Sequence, residues 1–195
     1  MRLFVALRTP QSVRRALEEL ITRLRPAAPA ARWVRAENIH VTLKFIGEVP
    51  PTRLQPICDV LTEIRLSAPV EICFRGLGFF PNDYSPRVFW AGIHTSDNLA
   101  ALAAAVEESL EPLGIARESR AFKPHLTLAR FSEPRPASKL AEAAASLRDV
   151  EFGDSVCTEF HLFESRLKPG GPEYTCLATF AFLSEEGART RSVDG

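Results

Sequence analysis

The alternation of apolar and polar positions divides the chain into short strand-like runs and amphipathic helical stretches. RLFVAL (2–7) reads as a strand, and Pro10 then opens a helix through about Arg25. In that helix Val13, Ala16, Leu17, Leu20, Ile21 and Leu24 recur at 3.6-residue spacing. PAAPAA (26–31) breaks it as a loop. HVTLKFI (40–46) is strand-like up to Gly47, and Pro50-Pro51 leads into a second helix near 53–66. Strands follow at 70–78 and 87–93, separated by the turn-forming PNDYSP at 81–86. A helix near 97–111, with Ser96 or Asp97 as its cap, stops at Pro112. HLTLARF (125–131) gives another strand, and an Ala-rich helix follows near 137–147. Strands at 156–165 and 173–183 flank KPGGP (168–172), which reads as a hairpin connection. The closing segment, 184–195, lacks apolar content and is expected to be mobile.

Hairpin-joined strands with interspersed helices specify the α+β class with mainly antiparallel sheet. Nothing marks a linker, so residues 1–183 are expected to form one domain of two lobes around a shared core. A weak internal echo supports two related halves. RWVRAENIHVTLKFIGE (32–48) and ARESRAFKPHLTLARFSE (116–133) both set a basic, polar approach before a similar strand, and each strand begins at a histidine.

Composition narrows this picture. Of 195 residues, 46% are hydrophobic and 25% charged, ordinary usage for a globular protein and incompatible with a disordered chain. No stretch of about 18 apolar residues occurs, so no spanning helix is expected. The apolar run before Arg8 is too short for a secretory signal, which makes the expected location cytoplasmic. Lys+Arg and Asp+Glu balance at 24 each, which disfavours a protein that grips long nucleic-acid tracts by bulk charge. Cys58, Cys73, Cys157 and Cys176 have no paired spacing and read as reduced, apolar side chains.

The echo centres on His40-Val41-Thr42-Leu43 and His125-Leu126-Thr127-Leu128. In an extended strand alternate side chains share a face. Each strand therefore presents an imidazole and a hydroxyl together, with apolar residues behind. With four histidines in the chain, chance gives about 0.2 occurrences of His-x-Thr, so two in matching context carry information. The chemistry that suits them is phosphodiester cleavage. One neutral imidazole accepts a proton and a charged one donates, each role being worth about 10² to 10⁴ in rate. Threonine hydroxyls can bond the non-bridging oxygens of a pentavalent phosphorus. A metal site would want further His, Cys or carboxylate ligands that neither strand carries; structural core histidines are the remaining alternative.

These residues resemble the 2H phosphoesterases, and most closely their RNA 2′,3′-cyclic phosphodiesterase branch, historically 2′-5′ RNA ligases. The similarity runs through RLFVAL, RWVRAENIHVTLKFIGEV, RVFWAGI, FKPHLTLARF and the strand at 174–183. It implies a bilobal, pseudo-twofold α+β fold with sheets facing a central cleft and helices outside. It also implies cofactor-free hydrolysis of RNA 2′,3′-cyclic phosphate ends, or of small cyclic nucleotides, to 2′-phosphomonoesters; a monomer is expected. His40 would then be the acid to O3′, His125 the base toward water, and Thr42, Thr127 and Arg130 the phosphate contacts. Reversible 2′-5′ ligation, or nucleotide binding without turnover, are the competing functions.

Strict alternation puts Arg130 opposite His125, so it reaches the cleft only if the strand twists or ends there. Lys44 shares the face of His40 by the same rule and could balance phosphate charge. Arg32, Arg35, Arg117, Arg120 and Lys123 could rim the cleft and attract an RNA end. Trp33, Phe79, Phe80, Tyr84 and Trp90 are candidates for base stacking, with core packing as the default. His94 and His161 have no same-face threonine beside them and read as structural or surface residues.

Overall fold

The structure, a computed structural model, describes residues 1–133 and 136–183. Nine strands, β1 (Arg2–Arg8), β2 (Arg32–Trp33), β3 (His40–Glu48), β4 (Val70–Phe80), β5 (Val88–Thr95), β6 (His125–Arg130), β7 (Glu151–Cys157), β8 (Glu159–Lys168) and β9 (Gly171–Ala181), alternate with four helices. The helices are α1 (Gln11–Leu24), α2 (Leu54–Thr62), α3 (Asn98–Leu110) and α4 (Ser138–Ala145). The strands form two sheets, ordered β3-β1-β8-β9 and β2-β6-β5-β4-β7, and every strand pair is antiparallel. The expected α+β architecture with duplicated antiparallel sheets is therefore the observed one.

The two sheets share one core because each feeds a helix to the other. β1 belongs to the first sheet, yet α1, which follows it, packs on β7 of the second. Val13 of α1 stands 3.1 Å from where a Cβ on Gly153 would lie, so a side chain there would crowd the helix, and the backbone at φ 124° favours glycine as well. Conversely β5 belongs to the second sheet, and its successor α3 packs beneath β3 and beside α2. Leu3, Val5, Leu7, Val41 and Leu43 of the first sheet join Phe74, Phe89, Ala91, Leu126 and Leu128 of the second in one apolar cluster. Full burial of each such side chain contributes about 1.5–3 kcal/mol, so the core rather than any one contact holds the lobes together.

Several element boundaries differ from the sequence reading. The strand expected at 156–165 is two, β7 and β8, divided at Thr158. β7 (EFGDSVC) is polar and lies at a sheet edge, where one side of the ladder is open and little apolar patterning is required. The helix expected near 53–66 is shorter, because Pro51–Arg53 form a 3₁₀ turn and the helix ends at Thr62. Asp97 occupies the N-cap of α3, but its side chain makes no capping bond; instead the Leu99 amide reaches the Ser96 carbonyl at 3.4 Å. The hairpin is tighter than KPGGP suggests, since Lys168 pairs with Gly171. The segment 184–195 lies outside the described residues.

Candidate functional site

His40 and His125 each open a strand, β3 and β6, and each is set by the carbonyl two residues before it. His40 Nδ1 meets the Asn38 carbonyl at 2.8 Å, and His125 Nδ1 meets the Lys123 carbonyl at 2.8 Å. A carbonyl only accepts, so Nδ1 carries the hydrogen in both rings and the exchangeable position is Nε2. Two imidazoles are thereby held in the same tautomer, each able to take or give a proton on one defined atom. The approach to His40 is itself pinned, for Asn38 Nδ2 donates to the Pro172 carbonyl at 2.7 Å across the β8–β9 turn. Thr42 and Thr127 lie two residues on, half-buried, and neither hydroxyl bonds another described residue.

Beyond the threonines both strands depart from regular alternation in the same way. On β3, Thr42 pairs with Ala6 and Lys44 with Val5, so Leu43 is an extra residue; on β6, Thr127 pairs with Trp90 and Ala129 with Phe89, so Leu128 is extra. Each is a one-residue bulge, which puts two consecutive side chains on one face and reverses the parity of the residues beyond it. Leu128 and Ala129 are accordingly both buried, and Arg130 emerges exposed on the side of β6 that carries His125 and Thr127. The expectation that a regular strand would turn Arg130 away is overturned by this bulge. Its charge acts on His40, His125 and Tyr174 alike.

The same kind of bulge corrects the placement of Lys44. Leu43 and Lys44 are both buried, so Lys44 points away from His40 and into the core, where it pairs with Glu107 at 2.8 Å. Phe45 takes the cleft position that Arg130 occupies in the other half, 52% exposed and 6.2 Å from the Phe4 ring. The sheets are thus related in backbone but not in chemistry: one lobe ends its motif on a cation, the other on an exposed aromatic.

The two imidazoles differ in surroundings. His40 lies 4.7 Å from the Phe4 ring centroid and meets Tyr174 edge-on at 5.3 Å. Burial first, then the charges of Arg130 and His125 against the opposing pull of the Asn38 bond, lowers its pKa from the ordinary 6.5 to about 4. His125 meets the edge of Phe80 at 5.1 Å. Its pKa is also lowered, by burial and by Arg130, with the Lys123 carbonyl acting in the opposite direction. Both rings are therefore neutral near pH 7 in the free protein, with Nε2 lone pairs available. Phe4 and Tyr174 escaped sequence reasoning, Phe4 because the run Leu3–Leu7 is apolar throughout and hides its own two-sidedness; its cross-strand row with Phe45 and Phe163 shows the face.

The remaining candidates divide. Arg117 is drawn off by Glu111 at 2.9 Å, and Arg35 pairs with Glu37 at 3.4 Å, while Arg32, Arg120 and Lys123 are exposed. Trp33 is structural, its indole donating to the Ala28 carbonyl at 3.0 Å and packing on Phe89, which also holds Phe79. Phe80 lies between Trp90, which it meets at a tilt, and His125, which it meets edge-on, and Tyr84 is exposed. His161 is buried against the Thr179 hydroxyl at 3.0 Å, and His94 is an exposed strand residue. All four cysteines are unpaired. Among the described residues no three His, Cys, Asp or Glu side chains are grouped to hold a metal, and no helix is long and apolar enough to cross a membrane.

Two antiparallel sheets, each delivering a histidine–threonine strand to the space between them, define the two-histidine phosphoesterase fold. A solved structure from Thermus thermophilus matches over 95% of this chain and 100% of its own, with 36% identity and a TM-score of 0.77. Escherichia coli LigT complexed with 3′-AMP matches over 93% of this chain and 97% of its own, with 26% identity and a TM-score of 0.75. In sequence, the RNA 2′,3′-cyclic phosphodiesterase of Archaeoglobus fulgidus is 37% identical over 92% of this chain and 99% of its own length. The protein of the same description from Thermus thermophilus is 38% identical over 96% of this chain and 93% of its own length. The model of the family described as the 2′-5′ RNA ligase superfamily matches residues 10–168. The chain belongs to the 2′-5′ RNA ligase superfamily.

Proposed function

We propose that this protein is an enzyme that hydrolyses RNA 2′,3′-cyclic phosphate ends, or small cyclic nucleotides, to 2′-phosphomonoesters without a metal or other cofactor. The observation that carries the proposal is the pair of imidazoles held in one tautomer by matching carbonyl bonds. Each ring lies beside an uncommitted threonine, and both lie within the field of Arg130. His125 Nε2 takes a proton from water as the oxygen attacks phosphorus; the P–O3′ bond breaks, and His40 Nε2–H delivers a proton to O3′. The 2′-phosphate remains, and the charge accumulating on its oxygens is met by Thr42, Thr127 and Arg130.

An acid with a pKa of about 4 is empty at neutral pH, so the substrate must load it. A phosphate monoanion about 4 Å from the imidazolium contributes roughly 4 kcal/mol at an effective dielectric near 20. That corresponds to about three pKa units, enough to bring His40 back to the neutral range in the complex. His40 is therefore an acid that charges only when the phosphate is present, and water alone finds it uncharged. Arg130 opposes this loading in the free protein and stabilises the phosphate in the complex. The names of the curated relatives and the nucleotide bound to LigT support the same substrate class. We further read residues 1–183 as one catalytic unit, supported by the common core of the two sheets, acting as a cytoplasmic monomer.

The test is turnover of an RNA bearing a terminal 2′,3′-cyclic phosphate in excess EDTA, with a 5′-hydroxyl RNA also present. The expected product is the 2′-phosphate. A 3′-phosphate product would overturn the departure of O3′, a loss of activity restored by metal would overturn the metal-free mechanism, and joined strands would assign the protein to ligation.

A further inference from the structure

Lys44 is 2% exposed, yet it carries a full charge into the core four residues after His40. Its Nζ lies 2.8 Å from Glu107 Oε1 and 2.9 Å from Oε2, and donates to the Ala116 carbonyl at 2.6 Å. Glu107 in turn accepts the Glu118 amide at 3.1 Å. The ammonium and carboxylate therefore hold both ends of the tripeptide 116–118, where the chain leaves α3 and runs toward His125. Between Glu118 and Lys123 no other hydrogen bond ties this segment to the described residues, and Ser119–Phe122 are exposed. The next fixed point is the Lys123 carbonyl that orients His125. Lys44 is buried and Glu107 15% exposed, a setting in which apolar residues of the same size often serve stability equally well, so the distinctive contribution of the pair is geometric.

We propose that Lys44 is a positioning residue for the second motif: through Glu107 and the Ala116 carbonyl it ties the β3 bulge of one half to the segment that delivers His125 in the other. The inference rests on the reading of His125 as a proton-transfer group. The bulge that removes Lys44 from the cleft thus places it where it can couple the two motifs.

The decisive variant is Lys44→Met/Glu107→Leu, which removes both charges of the pair and leaves neither unpaired. A purely structural pair predicts that the double variant regains whatever stability and activity Lys44→Met alone loses. Positioning predicts a thermal midpoint within a few degrees of the wild type, with kcat on a cyclic phosphate still at least tenfold down and KM within threefold. A double variant with wild-type kcat overturns the proposal. Should the double variant not fold, Lys44→Arg keeps the charge opposite Glu107 but replaces the compact ammonium that reaches both carboxylate and carbonyl. It should lose at least threefold in kcat, and an unchanged kcat overturns the proposal equally. If the wild type turns over no cyclic phosphate, the functional reading fails and imidazole NMR decides the coupling. The His125 titration should move toward 6.5 in the Lys44 variants while that of His40 stays in place; two unmoved titrations refute it.

Discussion

The low pKa of His40 makes acid stability a direct readout of the cleft. In the unfolded chain this imidazole titrates near 6.5, and in the folded protein at about 4. Between those values the unfolded state binds a proton that the folded state refuses, so stability falls as the pH drops from 6.5 to 4 and is fully retained above 6.5. The 2.5-unit interval corresponds to about 3.4 kcal/mol well below pH 4, and to roughly 2.5 kcal/mol at pH 4.5. A domain of ordinary stability, about 5–15 kcal/mol, would lose a large fraction of it through one side chain.

Carboxylates and His125 also titrate in this window, so the measurement must be a difference. Urea unfolding of the wild type and of His40→Asn, followed by circular dichroism at pH 7 and pH 4.5, removes their common contribution. The stability gap between the two proteins should shift by about 2 kcal/mol in favour of the asparagine variant on going to pH 4.5. A phosphate monoanion in the cleft should diminish the shift, because it favours the protonated ring. A gap that stays constant within about 0.5 kcal/mol across the two pH values would refute the claim that burial keeps His40 neutral.

Two further outcomes test the same site. His40→Ala and His125→Ala should each lower cyclic phosphodiesterase turnover by about 10² to 10⁴ while far-UV circular dichroism is unchanged, and full activity in either refutes the two-histidine mechanism. Arg130→Gln should lower kcat/KM by about tenfold or more and move the imidazole titrations of both His40 and His125 upward, since its charge holds both down; titrations that do not move would place Arg130 outside the cleft.

The legible part of the site is the part where the chain obeys simple regularities. His40 with Thr42 and His125 with Thr127 are correct by alternation, because the strand is regular from the histidine to the threonine. Lys44 and Arg130 are both misplaced by the same rule, because the bulges at Leu43 and Leu128 lie just beyond. Nothing local announces these bulges: Leu-Lys-Phe and Leu-Ala-Arg read as ordinary strand, and only register against β1 and β5 reveals the extra residue. β7 was missed for a different reason, since an edge strand with a glycine and an aspartate carries no apolar code of its own. Phe4 and Tyr174 were invisible as site residues because membership of the cleft is decided by pairing across strands, which no local pattern encodes.

The paired bulges explain how one duplicated framework yields two unlike halves. A one-residue insertion after each threonine leaves each histidine–threonine pair in regular strand while reversing the side on which the next residues emerge. The first half then uses its inward lysine as a strut to the approach of the second motif, and its outward position holds Phe45. The second half places a small alanine inward and an arginine outward. His40 lies among Phe4 of β1 and Tyr174 of β9, buried and strongly depressed in pKa, whereas His125 meets Phe80 of β4 edge-on. Two imidazoles at one backbone position can differ only through their neighbours. The bulges add a second difference, exposing Phe45 in one half and Arg130 in the other, so exchanging these two residues would redistribute the charge around both imidazoles.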